Sequence, residues 1–233
     1  MSLVDEIEVW WAETTRLPTA PDEFLRELSD GERVRASRFV QAVDRDRFVL
    51  AHGILRRILG TRLSKDPAVL EFKTNDFGKP GLAPSMGAPV SFNLSHAAGV
   101  VVVAVGPRPR IGIDVEQIRT NLDFLGVAKG VFSEDEFLLL ESLATSERLG
   151  AFFRCWTRKE AFMKALGEGF SRPPGSFSVN FEAGQSPRIL HDDHDPSAPN
   201  RWNLAEVCLR DDYVCAVAWD GEPARVKVRP WTG

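Results

Sequence analysis

A proline-rich break near the middle of the chain constrains the fold more than any other feature. Residues 106–110 read GPRPR, and proline fits neither a helix interior nor a central strand, because its nitrogen has no hydrogen to donate. On each side of this break, a long segment with helically spaced apolar residues stands beside short β-rich runs. This order predicts an α+β protein built of two similar halves, residues 1–107 and 108–233.

The spacing of apolar residues predicts the individual elements. Helices are expected over residues 22–62, 120–129, 133–145 and 147–166. Ser133, followed three residues later by Glu136, has the pattern of a capping box at a helix start. Residues 95–99 and 185–200 are expected to be loops, the second of them exposed. Strands are expected over residues 8–11, 70–74, 90–94, 100–105, 111–116, 176–181, 202–209 and 213–219.

The composition is that of an ordinary globular protein, with 43% hydrophobic and 27% charged residues. No stretch approaches the run of about 18 apolar residues that a membrane helix needs. The acidic start MSLVDEIEVWW does not resemble a signal peptide. We therefore expect no membrane association and a cytoplasmic location. The net charge of −4 argues against general nucleic-acid binding, which needs a basic surface.

The positive charge is concentrated in one segment. Residues 33–62 contain eight arginines and only two acidic residues, Asp44 and Asp46. Such a cluster can be a solvated helix face, or it can attract a phosphate-rich small ligand or an acidic protein partner. The segment alone does not choose between these interpretations.

The segment IGIDVE, residues 111–116, places two acids on a predicted strand. Alternate side chains of a strand face opposite sides, so Ile113 and Val115 would point into the core. Asp114 and Glu116 would share the other face, about 6–7 Å apart. Two carboxylates at this spacing repel each other unless a cation lies between them, and Mg²⁺ prefers oxygen ligands. The alternative is a solvated polar face of the strand.

The segment FRCWTRKEAFMK, residues 153–164, combines helical spacing with several aromatic residues. Glu160 and Lys164 are four residues apart, so they share one face of the predicted helix. They could form an ordinary surface ion pair. They could also provide a third carboxylate beside a metal, with a lysine that reaches toward a phosphate.

Two further regions carry candidates for anion binding. His96 follows Ser95 at the end of a predicted strand, where an imidazole can bond a phosphate or simply stabilise a turn. Lys79 stands in a Gly-Lys-Pro turn, where the proline would fix its position. A serine-hydrolase site at Ser95 is disfavoured, since no GxSxG pattern surrounds it.

The order of these motifs resembles the surfactin-synthetase-type 4′-phosphopantetheinyl transferases. The segments GKP (78–80), FNLSH (92–96), GIDVE (112–116) and WTRKEA (156–161) follow one another at similar spacing. A lysine four residues past the WTRKEA glutamate completes the pattern. The FSEDEF segment and residues 167–179 also look like this family. The likeness covers roughly residues 30–180, about two-thirds of the chain.

The resemblance implies an α+β fold of two halves related by pseudo-twofold symmetry, with the active site between them. It implies transfer of 4′-phosphopantetheine from coenzyme A to a serine of an apo carrier protein, with adenosine 3′,5′-bisphosphate as the second product. Asp114, Glu116 and Glu160 would hold Mg²⁺, or Mn²⁺ in its place. Glu160 would act as the general base, directly or through a water. Lys164 would stabilise or protonate the departing phosphate.

The same resemblance implies which residues contact coenzyme A. His96 and Lys79 would bind phosphates of coenzyme A, His96 the 3′-phosphate, and Lys159 would add charge near Lys164. The chain departs from the family three residues before Arg35, where a basic residue is frequent and Glu32 stands here. The 3′-phosphate would then need another basic residue, and a further arginine is one candidate. The full set of expected coenzyme A contacts is Arg35, Arg47, Lys79, Ser95, His96, Asp114, Lys159 and Lys164.

The expected partner is an acyl- or peptidyl-carrier domain of fatty-acid, polyketide or nonribosomal peptide synthesis. Phe124, Leu125 and Val127 could contact it or could be core residues. A monomer is expected, because the second half can supply the surface that a partner subunit would.

Other functions are compatible with the same residues. The three acids could serve a metal-dependent phosphodiester or pyrophosphate hydrolase. A coenzyme A- or carrier-binding module without turnover is a non-enzymatic alternative. Residues 191–195, with the sequence HDDHD, could also bind a metal on a mobile loop.

Overall fold

A computed structural model gives the fold, and it describes residues 6–233 without the side chain of Phe170. The α-helices are α1 Pro21–Phe24, α2 Asp30–Ser37, α3 Ala42–Leu63, α4 Phe124–Val131, α5 Glu134–Ser142, α6 Thr145–Leu166 and α7 Ala198–Arg201. The strands are β1 Glu6–Glu13, β2 Phe72–Thr74, β3 Pro80–Leu82, β4 Ser91–Ala97, β5 Val100–Gly106, β6 Ile111–Gln117, β7 Phe177–Val179, β8 Ile189–Asp192, β9 Trp202–Glu206, β10 Tyr213–Asp220 and β11 Arg225–Pro230.

The longer strands form two main sheets. The first contains β11, β1, β5 and β4 in that order, with β11 parallel to β1 and the other pairs antiparallel. The second contains β6, β10 and β9 and is antiparallel. The pairs β2–β3 and β7–β8 form two small ribbons. The last strand of the chain therefore lies in the sheet of the first half, and the division at residue 107 stays a prediction.

The two sheets pack face to face, and one long helix covers the outer face of each. Strand β5 shows the arrangement, because its side chains alternate. Val101 and Val103 pack in the core beneath α3, whereas Val100 and Val102 face the second sheet, where they meet Ile113 of β6. Helix α6 covers the other side of the second sheet. The layers run helix, sheet, sheet, helix, and the predicted α+β class is confirmed.

The segment predicted as one helical stretch, residues 22–62, contains three helices. After α1 the chain is irregular, and α2 starts at a capping box in which Ser29 and Glu32 exchange hydrogen bonds. A second break precedes α3, whose N-cap Gln41 is extended. The apolar spacing detects the helical character, but it does not mark these breaks, and Phe39 and Val40 even continue the apolar pattern through the second one. The capping box predicted at Ser133 and Glu136 is present at the start of α5.

The predicted loop over residues 95–99 is shorter than expected. Strands β4 and β5 pair up to a tight turn at Ala98 and Gly99, which have φ angles of 42° and 87°. Ser95 and His96 therefore lie within β4. Because they are adjacent in a strand, Ser95 is buried on one face and His96 is exposed on the other.

The prediction of an exposed loop over residues 185–200 is wrong. Ile189–Asp192 forms β8, which pairs with β7, and Ala198–Arg201 forms α7. Asp192 is buried and accepts a hydrogen bond from Arg172. The polar composition suggested a loop, but a charge partner 20 residues away in sequence allows the acid to be buried.

None of the helices in the described residues is both long and apolar enough to cross a membrane. The acidic start of the chain, which argues against a signal peptide, lies in part outside these residues, at positions 1–5.

Candidate active site

The backbones of strand β6 and helix α6 come into contact at one position, which is occupied by a glycine. Gly112 lies on the face of β6 that α6 covers. A Cβ atom at this position would stand 2.0 Å from the Ala161 carbonyl oxygen and 2.3 Å from the Ala165 nitrogen, so glycine alone allows the approach. Asp114 and Glu116 follow on the same face of the strand. The acids of β6 are thereby brought beside α6.

Asp114 is buried rather than solvated, with 4% of its surface exposed. Its Oδ1 atom accepts hydrogen bonds from Lys164 Nζ at 2.6 Å and from Ser95 Oγ at 3.0 Å. Its Oδ2 atom is also buried and has no hydrogen-bond partner among the described residues. Burial raises the pKa of Asp114, although Lys164 and Ser95 act in the opposite direction. A buried acceptor without a donor is costly, and a cation would satisfy it.

The other two acids lie in the field of Asp114. Desolvation raises the pKa of Glu160, and the charges of Asp114 and Glu116 add to this effect against the pull of Lys164. Desolvation likewise raises the pKa of Glu116, with the charge of Asp114 as the next cause. The structure thus brings the three predicted acids into one electrostatic neighbourhood. We call Asp114, Glu116 and Glu160 the carboxylate cluster.

The carboxylate cluster suits a hard divalent cation in chemical type. Its members repel one another, and carboxylate oxygens are the ligands that Mg²⁺ prefers. In the described part of the chain, however, no three His, Cys, Asp or Glu side chains stand close enough to hold a metal ion as they are arranged. In this arrangement Lys164 Nζ is the positive group beside Asp114. The donor types therefore fit the ion, while the side chains are not preset around one.

A cavity of about 300 Å³, here called the junction cavity, opens between helix α6 and the segment around Lys79. Glu160 and Lys164 line it from α6, and residues 77–80 with Leu94 line it from the first half. The glutamate and the lysine therefore share one accessible helix face, as their spacing predicts. A substrate in this cavity would contact both halves of the chain.

Lys79 connects the two halves beside this cavity. Its Nζ atom donates to the carbonyl oxygens of Ile111 at 2.9 Å and Ala165 at 3.0 Å. Desolvation and the charge of Arg110 lower its pKa to about 8, while Asp220 acts in the opposite direction. The ammonium is thus bonded to backbone carbonyls in this structure, and its contact with a phosphate stays a prediction.

The other predicted phosphate-binding residues line a second cavity, of about 420 Å³. Arg35 of α2, Arg47 of α3 and His96 of β4 converge there. His52 of α3, which the sequence argument misses, lies in the same wall. We call this cavity, with these four side chains, the basic pocket.

His96 lies between the basic pocket and the carboxylate cluster. Although its side chain is exposed, desolvation lowers its pKa, and the charges of Lys164, His52 and Arg47 act in the same direction. An anion bound beside it would favour its protonated form.

The cavities adjoin one another along one cleft. Leu94 lines the basic pocket, the junction cavity and a third, larger cavity of about 1130 Å³ in the first half. The volume of the third cavity alone reaches the upper range of small-molecule sites, about 300–1,000 Å³. The cleft is therefore large enough for an extended, nucleotide-sized ligand.

Glu32 stands where the family resemblance predicts a basic residue. Its side chain takes part in a local network of ion pairs. Its carboxylate lies 3.2 Å from His52 Nδ1 and accepts hydrogen bonds from Arg56 at 2.6 and 2.9 Å. Burial would raise its pKa, but the hydrogen bonds from His52, Arg56 and Ser29 outweigh this and lower the pKa to about 2. Glu32 is therefore ionised and fully paired.

The expectation that Lys159 adds charge to the site is contradicted. Lys159 is 1% exposed, and its Nζ atom donates to Glu136 Oε2 and to the Phe177 carbonyl oxygen, both at 2.6 Å. Five residues separate it from Lys164, which places the two side chains about 140° apart around the helix. Lys159 instead fastens α6 to α5 and β7.

The HDDHD segment forms internal pairs. His191 lies 2.8 Å from Asp193, and Asp192 pairs with Arg172. These pairs account for the segment without a metal.

The three candidate carrier contacts that follow the GIDVE motif lie in α4. Phe124, Leu125 and Val127 are partly buried and pack against the core of the second half. The Phe124 ring centroid is 5.7 Å from that of Phe152. Core packing therefore accounts for much of their surface, and a carrier contact stays a prediction.

Two site residues were missed by the sequence argument. Asn93 is buried, and its Oδ1 atom accepts a hydrogen bond from the Ile113 nitrogen at 2.8 Å, which fixes β6 beside β4. It stands in the FNLSH motif, so the motif already contained the signal. His52 follows Phe48 by one helical turn, but its function depends on Glu32 of another helix, which no local pattern reveals.

Comparison with known proteins shows the family of this chain. A family model described as the 4′-phosphopantetheinyl transferase superfamily matches residues 110–218, from β6 to β10. The 4′-phosphopantetheinyl transferase HetI of Nostoc sp. is 33% identical over 220 residues, which cover 94% of this chain and 90% of that protein. The 4′-phosphopantetheinyl transferase Sfp of Bacillus subtilis is 32% identical over 176 residues, 75% of this chain and 76% of that protein. The chain belongs to the 4′-phosphopantetheinyl transferase superfamily, as its motif order predicts.

A solved structure also resembles part of the chain. The holo-[acyl-carrier-protein] synthase (AcpS) of Thermotoga maritima matches 49% of this chain and 64% of its own, with a TM-score of 0.38 and 22% identity.

Proposed function

We propose that this protein transfers 4′-phosphopantetheine from coenzyme A to a serine of an acyl- or peptidyl-carrier protein and releases adenosine 3′,5′-bisphosphate. One observation carries the proposal: the carboxylate cluster and Lys164 lie at one place in a cleft that also contains the basic pocket. Coenzyme A has a pyrophosphate and a separate 3′-phosphate, so a cleft with two anion-handling sites suits it. Membership in the superfamily supports the same activity.

We propose that the pyrophosphate lies beside the carboxylate cluster, with the nucleotide in the first half of the chain. Lys164 can hold a phosphate oxygen from the wall of the junction cavity and neutralise the departing group. Ser95 holds Asp114 in place through its 3.0 Å hydrogen bond. Arg35, Arg47 and His96 would bind the remaining phosphate in the basic pocket.

Glu160 is the proposed general base for the carrier serine. It lines the junction cavity beside Lys164, where a hydroxyl could approach the phosphate. Desolvation and the neighbouring acids raise its pKa when no cation is bound, whereas a bound cation would lower it and favour proton transfer through a water. A water held by Glu160 could carry the proton instead, and the serine would still lose it on this side of the cleft.

We propose that Asp114, Glu116 and Glu160 hold Mg²⁺, with Mn²⁺ as an alternative. When bound, the ion would supply Lewis-acid stabilisation of the charge on the attacked phosphate. The proposal is supported by the unpartnered Oδ2 atom of Asp114 and by the mutual repulsion of the three acids. The monomeric state, the cytoplasmic location and the pathway of the carrier remain predictions.

A transfer assay tests this function. The protein is incubated with coenzyme A, Mg²⁺ and an apo carrier domain, and the carrier is examined by mass spectrometry. We expect the mass of phosphopantetheine to be added, and the addition to stop when a chelator removes the metal. Parallel samples without carrier detect hydrolysis of coenzyme A. Hydrolysis without carrier modification would favour a hydrolase, and an intact protein that modifies none of several carriers would contradict the proposal.

A further inference from the structure

His52 occupies the basic pocket without a role in the transfer as derived above. It lies on α3 and lines both the basic pocket and the larger cavity of the first half. Its side chain is 20% exposed, so one edge of the ring is accessible. Its charge also affects His96 across the pocket. The ring therefore stands where a bound anion would contact it.

The orientation of His52 is fixed from two sides. Its Nδ1 atom lies 3.2 Å from Glu32 Oε1. Its ring packs on Phe48 with centroids 4.0 Å apart, and the Arg35 guanidinium lies 5.1 Å from the same phenylalanine ring. Across residues 6–233, the remaining ring nitrogen, Nε2, has no hydrogen-bond partner. A fixed ring with one nitrogen engaged leaves the other available to a ligand.

Glu32 determines the proton on this ring. The carboxylate is ionised and can only accept, so Nδ1 must carry the hydrogen that it receives. With Nδ1 donating to Glu32, donation from Nε2 to a phosphate requires the doubly protonated ring, so the phosphate would bind His52 in that form. The charged groups around the ring are Glu32 and Arg35 from α2, Asp44, Arg47 and Arg56 from α3, and His96 from β4.

The pocket contains more positive than negative charge. Arg35 forms no ion pair with any described residue and contacts the Phe48 ring instead. Arg47 has an exposed partner, Asp44, at 3.3 Å. Glu32 contacts both His52 and Arg56, and the charge of Arg56 offsets the repulsion that Glu32 would exert on an incoming anion. A phosphate monoester, with two charges and three acceptor oxygens, matches this set of donors.

We propose that His52 is a specificity-determining binding residue for the 3′-phosphate of coenzyme A, donating from Nε2 to the phosphate while Nδ1 donates to Glu32. The inference rests on the proposed function, which places the pyrophosphate at the carboxylate cluster and leaves the 3′-phosphate for the basic pocket. Glu32 then orients His52 on the neighbouring helix α3. His52 supplies the basic side chain that the pocket lacks at position 32.

Calorimetric titrations of the full chain with coenzyme A and with 3′-dephospho-coenzyme A test the inference. The wild type should bind coenzyme A more tightly than the dephospho form. His52→Asn keeps a donor toward Glu32 and removes the distal one, so its affinity for coenzyme A should fall roughly ten- to a hundredfold, the range for a hydrogen bond to a charged group. Its affinity for the dephospho form should stay the same.

His191→Asn is the matched control, because His191 is an exposed histidine outside the cleft. It should leave both affinities unchanged. His52→Gln, which keeps a distal donor and loses the Glu32 contact, should fall between His52→Asn and the wild type, and it serves if His52→Asn does not fold.

Three results would overturn the inference. Equal weakening toward both ligands would make His52 a structural residue, and an unchanged preference for coenzyme A would remove it from phosphate recognition. A wild type that binds both ligands equally would show that the 3′-phosphate is not recognised at all. A wild type that binds neither ligand would instead contradict the proposed function itself.

Discussion

The carboxylates of Glu32 and Asp114 differ in how their charge is compensated. Glu32 receives hydrogen bonds from His52, Arg56 and Ser29, and its pKa is lowered to about 2. Asp114 keeps one oxygen without a donor among the described residues, and burial raises its pKa. Strongly perturbed acids that are incompletely paired are typical of functional sites, whereas complete pairing is typical of structural ones. The difference separates the proposed metal ligand from the acid that organises the basic pocket.

The Glu32 network should contribute measurably to stability. Because hydrogen bonds lower the pKa of Glu32 from 4.5 to about 2, Glu32→Gln should reduce the free energy of unfolding at pH 7, by about 1–2 kcal/mol after allowance for screening of this partly exposed carboxylate. Because the pKa is lower in the folded state, this stabilisation is present above pH 4.5 and is lost as the pH falls toward 2. Urea unfolding at pH 7 and pH 3 should show the gap between wild type and variant shrinking. Glu23→Gln, at an exposed position in α1, is the control, and a gap that is equal at both pH values would refute the account.

Residue types were easier to predict than residue partners. The motifs identified the three acids and Lys164, because their spacing on a strand and a helix is a local property. The contacts of Lys159 and Lys79 were not predictable, because their partners Glu136 and Ile111 lie 23 and 32 residues away. His52 was missed for the same reason, since Glu32 stands 20 residues before it on another helix.

At the level of elements, the site depends on the contact between β6 and α6. The strand carries two acids, and the helix carries Glu160 and Lys164. Gly112 lets them touch, because the backbone of α6 occupies the space that a side chain would fill. The glycine of the GIDVE motif therefore has a packing function that is separate from the chemistry of the acids.

Gly112→Ala should separate the strand from the helix. Its Cβ atom would overlap backbone atoms of Ala161 and Ala165, which cannot move as a flexible side chain would. We expect a loss of about 1–3 kcal/mol or more in unfolding free energy, and a fall in transfer rate of about a hundredfold in the folded fraction. Thermal unfolding and the mass-based transfer assay measure the two effects.

Gly130→Ala is the matched control for this prediction. Gly130 lies in α4, and a Cβ atom there would meet nothing within 4 Å. The change should preserve activity and raise stability by about 0.5–1 kcal/mol, since alanine favours a helix over glycine. Equal behaviour of the two variants would argue against a packing role for Gly112.

Elements with strong apolar patterns were predicted well, and polar ones were not. Helix α6 and strands β5, β6 and β10 match their predicted positions closely, because one or both faces are apolar. The break between α2 and α3 and the strand β8 were missed. The apolar residues Phe39 and Val40 stand in the first of these and hide the break, and Asp192 of β8 is buried only because Arg172 pairs with it.

At the scale of the whole molecule, the two main sheets share one core. Val100 and Val102 of the first sheet pack against Ile113 of the second, and β11 from the end of the chain pairs with β1 from its beginning. Lys79 and Asn75 add hydrogen bonds across the junction, the second to the Gly167 carbonyl oxygen at 2.7 Å. The cleft is formed between the halves, so its geometry depends on this shared core.

Neither half should fold alone. Residues 1–107 lack β11 and the sheet that covers β5, and residues 108–233 lack the strands that cover β6. Each fragment would expose one face of the central core to water, at a cost of about 25 cal/mol for each Å² of apolar surface. Near-ultraviolet circular dichroism during heating should show no cooperative transition for either fragment. A sharp transition in one of them would mean that this half is an independent domain.

The central claim is that the carboxylate cluster and Lys164 catalyse transfer to a carrier serine, and one rate comparison tests it most directly. Glu160→Gln removes the proposed base and metal ligand, and Glu147→Gln makes the same change at an exposed position in the first turn of α6. With coenzyme A, Mg²⁺ and an apo carrier, kcat for Glu160→Gln should fall by about 10²- to 10⁴-fold, while Glu147→Gln keeps the wild-type rate. A Glu160→Gln protein that folds and transfers at the wild-type rate would contradict the account.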